Sequence, residues 1–301
     1  MKRHWLGIIL MVIAAVTLAV ANILMKLIPQ LTNLEPGHVG VWRFTIAAPV
    51  LWLLTRSSQA KKEKMPVPHY QLLLLGAVFA LGNFSALFSL ERLPSSLYVI
   101  IVYIYPSLVV LFSFITGKRV PKSFWIGLPL TVIGLFLVAY EFGAKLSIDP
   151  LGFFFTIINA IGVAAYLLLS EKLLRGVRDK LYATNFVLTG AMLAGWLMIS
   201  FFGVRLPDSA QGWILLIIFG IVGSLAPIVA MNLGLQLMGA ARGSVIITLQ
   251  PILTVLISTI FLNEVLSIQQ WIGGAIVIAA IVLLQLSPDT VRKKDTQSNR
   301  T

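Results

Sequence analysis

The sequence predicts an all-α integral membrane protein whose ten transmembrane helices form two inverted five-helix repeats. Three observations carry that prediction. The composition is far more apolar than that of a soluble domain, ten apolar runs have bilayer-spanning length, and the second half resembles the first at an offset of 145 residues.

Of the 301 residues, 58% are hydrophobic and 11% charged. Soluble domains run about 45–50% apolar and about 25% charged. The chain has no cysteine, which excludes disulfides, thiolate metal sites and thiol catalysis. A net charge of +12 can signal a nucleic-acid partner. Here the basic residues sit between the apolar runs and not along one face, so they read as a topology signal, with no nucleic acid expected.

A bilayer core about 30 Å thick takes roughly 20 apolar helical residues. Runs of that kind lie near 5–28, 37–55, 69–90, 95–116, 124–142, 150–170, 182–203, 212–235, 243–262 and 269–287. With the N-terminus inside, 18 Lys and Arg fall in cytoplasmic segments and three (Arg92, Lys145 and Arg205) fall outside. Cytoplasmic loops retain positive charge, so both termini are expected in the cytoplasm and the protein in the cell membrane. Lys2-Arg3 followed by an apolar run and Ala19-Val20-Ala21 resembles a secretory signal. The run continues to Ile28, however, and is expected to be a retained first helix.

Residues 90–127, LERLPSSLYVIIVYIYPSLVVLFSFITGKRVPKSFWIG, lie over 235–273, LQLMGAARGSVIITLQPILTVLISTIFLNEVLSIQQWIG. Leu90 meets Leu235, Pro106 meets Pro251 and Ile115 meets Ile260; after one inserted residue, Trp125-Ile126-Gly127 meets Trp271-Ile272-Gly273. Residues 1–145 and 146–288 are thus expected to form the two repeats, and 289–301 a disordered basic tail. Five spans per half is an odd number, so the second copy enters the membrane from the opposite side. Inverted repeats of this kind place a substrate site near the midplane, where the halves meet. Pro106 and Pro251 are expected to kink the fourth span of each half, either as structure alone or to shape a cavity as well.

With these elements in place the chain resembles the EamA family of the drug/metabolite transporter superfamily. The resemblance rests on two five-helix units, a proline-centred fourth span in each, and a W-I-G helix start after it. Trp42-Arg43-Phe44 resembles the family's Arg-Phe element, and Phe261-Leu262-Asn263-Glu264 its Gly-Glu element. The first copy departs from the pattern, reading Gly117-Lys118-Arg119 without the glutamate. The resemblance implies export or exchange of small metabolites.

Polar residues within the spans are the candidates for substrate contact, because they are costly in lipid and face the bundle interior. Arg43 heads them: it either binds an anionic group such as a carboxylate or snorkels to the interface. Lys26 reads as a snorkeller. Asn22 lies four residues before it on the same face. Asn159 and Tyr166 share a face of span 6, Asn185 lies in span 7, and Asn232 and Gln236 lie in span 8. Tyr103 and Tyr105 flank the first proline and match Thr248 and Gln250 in the second copy. Each is expected either to line a substrate site or to bridge two helices. Tyr98 reads as an interfacial aromatic, and Glu91 and Glu264 as loop residues near helix ends.

The Asp and Glu residues all map to connections, span ends or tails. A proton-driven exporter of cationic drugs needs a carboxylate within the bilayer. The expected substrate is therefore a neutral, zwitterionic or anionic small molecule such as an amino acid, moved by alternating access without a cofactor or a metal. Five plus five spans are expected to suffice as a monomer. An intramembrane enzyme would need a catalytic cluster, and His4, His38 and His69 lie far apart in the chain. A membrane scaffold or assembly factor is the alternative, and it would tolerate loss of Arg43 and of the repeated prolines.

Overall fold

The computed structural model describes residues 2–56, 67–90, 92, 93, 98, 101–117, 122–139, 149–201, 203–262 and 267–286. The expectations placed on Glu91, on Lys118-Arg119, on Glu264 and on the tail 289–301 lie outside these residues, as does the side chain of Lys26.

Among the described residues every regular element is helical: α1 (Lys2–Leu31), α2 (Pro36–Leu54), α3 (His69–Leu90), α4 (Tyr105–Ile115), α5 (Ser123–Ala139), α6 (Pro150–Leu173), α7 (Lys180–Ile199), α8 (Ala210–Met238), α9 (Ala240–Ile247), α10 (Leu249–Leu262) and α11 (Ile268–Leu286). Six of them, α1, α2, α3, α6, α7 and α8, are long and apolar enough to cross a membrane. Helix starts follow local chemistry. Asp149, Asp179 and Ser209 each accept a hydrogen bond from the backbone N–H three residues on, capping α6, α7 and α8. Two of the chain's acids are thereby engaged at helix ends.

The two repeated prolines mark breaks between helices, where the sequence suggests a bend within one. The chain is helical at Ile101-Val102, turns at Tyr103-Ile104 and restarts as α4 with Pro106 in its first turn. In the second half α9 stops at Ile247, and α10 restarts with Pro251 as its third residue. A proline cannot donate to the carbonyl four residues back and its ring crowds that carbonyl, so the upstream helix ends. In a first turn the missing N–H costs nothing.

A third irregularity has no counterpart in the sequence reading. Ile221–Leu225, in the middle of α8, form a π-turn in which the Ala226 N–H donates to Ile221 O. Pro227 follows at once, and the wider turn is one way a helix absorbs such a residue.

The packing is reciprocal between the halves. α3 lies along α6 as α8 lies along α1; α2 meets α7, and α5 meets α11. Each of these pairs joins one half to the other. Closest approach occurs between α3 and α7. A Cβ on Gly76 would collide with Val187 O, and one on Gly190 with Leu73 O, so glycine at both positions lets the backbones touch. The outward surface is apolar: Trp5, Leu6, Ile9, Ile13 and Val16 stand exposed along α1, opposite buried Met11, Ala14, Ala15 and Ala19. An apolar exterior around a partly polar interior is what lipid as solvent demands.

Candidate functional site

Arg43 lies seven residues into α2, about 10 Å along the helix at 1.5 Å per residue. Its side chain is buried, 7% exposed, so it does not snorkel. One guanidinium nitrogen, Nη2, donates to Asn83 Oδ1 at 2.5 Å. Nε is buried and, among the described residues, has no hydrogen-bond partner. The Arg43 Cζ stands 4.5 Å from the Phe44 ring centroid and 5.4 Å from that of Phe219, on α8. The carboxylate at the head of α2, Glu35, pairs instead with Arg205 at 2.9 Å. Arg43 is thus a buried cation whose visible partners are an amide and two phenyl rings.

Asn83 was absent from the sequence candidates, and it is the hinge of the arrangement. Its Nδ2 is spent on Phe79 O at 2.7 Å, which fixes Oδ1 toward Arg43. The preceding residue extends the network, since the Gly82 carbonyl accepts from Asn159 Nδ2. Asn159 Oδ1 in turn accepts from Tyr98 OH at 3.1 Å. α2, α3, α6 and the start of the fourth predicted span therefore meet in one polar band, with Phe219 of α8 on its flank.

Asn22 stands apart from this band but opens toward the interior. It falls three residues after Ala19 and seven after Ala15, both fully buried, so its helical phase is that of the packed stripe. It is nevertheless exposed, and its Nδ2 reaches Thr254 Oγ1 on α10 at 3.3 Å. Asn22 is thus an exposed polar group on the packed face of α1, where α1 meets α10. Its neighbour Ala21 packs in one apolar cluster with Phe219. Gln250, one turn before Thr254, is half-buried and accepts the Thr254 hydroxyl at its backbone carbonyl.

The remaining candidates gather elsewhere. Asn232 Oδ1 accepts from Tyr166 OH at 2.9 Å and from Ser170 Oγ at 2.7 Å, while its Nδ2 donates to Thr184 at 3.2 Å. This set lies toward the opposite ends of α6 and α8 and is fully buried. Asn185 Nδ2 donates to Thr55 Oγ1 at 2.7 Å. Tyr105 OH donates to Ser244 O at 3.3 Å, and Tyr103 is buried with its ring 5.6 Å from that of Tyr105. Asn232, with both amide atoms engaged, serves as interhelical glue.

Close to that second set, Glu171 is buried in the last turn of α6. Its Oε2 accepts from the Ala240 backbone N–H at 2.8 Å, capping α9, and Oε1 accepts from Arg175 at 2.8 Å. Gln236 donates to the carbonyls of Ser170 and Glu171 at 3.1 and 3.0 Å. The end of α6 is thereby tied to the turn between α8 and α9. Gly239 makes the turn with φ +83, a conformation that side chains other than glycine's rarely adopt.

Fold and band together define a helical membrane protein with a buried cationic site between its halves. The chain belongs to the EamA-like transporter family, whose family model matches residues 5–140 and again residues 150–286. It is similar to an uncharacterized transporter of Archaeoglobus fulgidus, 24% identical over 72% of this chain and 76% of the relative. It is also similar to the uncharacterized transporter YcbK of Bacillus subtilis, 26% identical over 89% of this chain and 88% of the relative. The pseudopaline exporter CntI of Pseudomonas aeruginosa is 26% identical over 45% of this chain and 47% of its own length. Among solved structures, a crystal structure at 18% identity covers 94% of this chain and 96% of its own with a TM-score of 0.76, which speaks to the fold alone.

Proposed function

We propose that this chain is a secondary carrier, an exporter or exchanger, that moves a small neutral, zwitterionic or anionic metabolite such as an amino acid across the cell membrane by alternating access. The observation that carries the reading is the Arg43 band, because it is assembled by helices from both halves. α2 and α3 supply Arg43 and Asn83; α6 and α8 supply Asn159 and Phe219. A solute bound there would touch both halves, and rocking one against the other would transfer its access from one side to the other. The family membership supports transport, and the exporter among the relatives supports outward flux.

In this reading the two halves are inverted repeats of five spans, with the fourth and ninth spans broken at their prolines and both termini cytoplasmic. Reciprocal packing between helices separated by 145 residues supports that arrangement. The Glu171–Ala240 tie closes the cytoplasmic ends of α6, α8 and α9, while the space beside Asn22 opens toward the outside. No cofactor enters the cycle, and one chain suffices.

Counterflow in proteoliposomes tests the reading. Vesicles are preloaded with unlabelled amino acids and small organic acids, and entry of each labelled compound is followed. Saturable, transient accumulation of at least one solute is expected. Its absence for the whole panel with folded protein would favour a non-transporting membrane scaffold.

A further inference from the structure

The carrier reading leaves the chemistry of the solute open, and Arg43 narrows it. A charge taken out of water is destabilising unless a partner and hydrogen bonds compensate it. Arg43 is 7% exposed; among the described residues its Nε–H meets no acceptor, and the one hydrogen-bond partner of the guanidinium is a neutral amide. The phenyl rings of Phe44 and Phe219 contribute cation–π attraction, which is weaker than a counter-ion. Among the described residues, therefore, this guanidinium at the junction of the halves keeps a free donor and has no counter-ion.

Resting on the carrier reading, we propose that the solute is a small organic carboxylate and that its carboxylate group is the missing counter-ion of Arg43. Guanidinium donors and a carboxylate match in plane and spacing, and the pair forms charge-assisted hydrogen bonds. The solute carboxylate accepts from Nε–H. The rings of Phe44 and Phe219 wall the guanidinium and keep water from competing. Asn83 is a positioning residue: its Nδ2 is anchored to Phe79 O, so its Oδ1 holds Nη2 and leaves the Nε–H free for the ligand. A decarboxylated amine or a carboxamide of the same solute leaves the charge uncompensated and is rejected.

The test uses the full chain purified in detergent, by thermal unfolding. The probes are the twenty L-amino acids with acetate, propionate, lactate, benzoate and succinate, each beside its carboxamide. The proteins are wild type, Arg43→Gln and Asn83→Asp. At least one acid is expected to raise the midpoint of wild type by several degrees while its amide leaves it unmoved, and Arg43→Gln is expected to abolish the response. Asn83→Asp builds in the missing counter-ion. Without ligand it is expected to melt higher than wild type and to respond to no acid, a pair of effects that a merely structural role for Asn83 would not produce. An amide as effective as its acid, a response retained in Arg43→Gln, a panel in which no acid acts, or an Asn83→Asp midpoint below wild type would each overturn the proposal. Counterflow of an amide or an amine by the same preparation would overturn it too while leaving the carrier intact.

Discussion

The backbone N–H of Ala240 donates to Glu171 Oε2 at 2.8 Å and ties the last turn of α6 to the first turn of α9. The tie joins elements 69 residues apart and is the cap that α9, eight residues long, receives. Glu171→Ala removes the acceptor, and loss of a cap costs about 0.5–2 kcal/mol. Glu171→Gln keeps an acceptor, and the lost pair with Arg175, a side chain 68% exposed, contributes little. Thermal unfolding is expected to rank wild type, Gln and Ala in descending order. A thiol introduced at Gln236 in the otherwise cysteine-free chain is expected to label faster in the Ala variant.

Lipid and interior faces of α1 separate in the same kind of experiment. Asn22→Cys is expected to react with a membrane-impermeant maleimide in intact vesicles, because position 22 is exposed on the packed face of α1, beside Thr254. Ile13→Cys, on the exposed apolar stripe, is expected to stay unlabelled in the bilayer. Equal labelling of the two would place Asn22 in lipid.

Glycine at position 76 is a matter of room. A Cβ there would meet the carbonyl of Val187, and the backbone of α7 cannot swing aside as a side chain does. Overpacking of this kind costs about 1–3 kcal/mol. Gly76→Ala is expected to lower the melting midpoint by several degrees. Gly37→Ala, whose Cβ would meet Ile199 at an ordinary 3.6 Å, is the control and is expected to change it little.

Tyr166→Phe separates glue from site. It deletes the hydroxyl that donates to Asn232 and leaves the ring packing against Phe79 in place. A loss of about 1 kcal/mol in stability is expected, with the KM for a transported solute unchanged. A raised KM at unchanged stability would return Tyr166 to the list of substrate contacts.

Much of this was legible in the sequence because hydropathy and charge act over whole helices. α2 moved by 145 residues falls on α7 almost end for end, and α5 falls on α11, which reflects the offset seen at Pro106 and Pro251. The prolines announced an irregularity but not its form, since a kink and a break leave the same letter in the sequence. The π-turn at Ile221–Leu225 is similarly hidden; Pro227 is its one local signal.

At the site, Arg43 was conspicuous because a cation inside an apolar run has few structural uses. Asn83 stands in a span of small and apolar residues, and its role depends on α2 and α3 meeting in space. Its being seven residues from the end of α3, as Arg43 is from the start of α2, was a usable signal of shared depth. The exposure of Asn22 on a packed stripe and the burial of Glu171 at a helix end are tertiary facts that periodicity cannot supply.

The most direct test of the account is counterflow by wild type and Arg43→Gln reconstituted at equal density, with unfolding midpoints measured on the same preparations. Saturable counterflow in wild type, lost in a variant that melts at or above the wild-type midpoint, is the predicted result. Counterflow that survives the substitution with unchanged KM would contradict a solute path through the junction of the halves at Arg43.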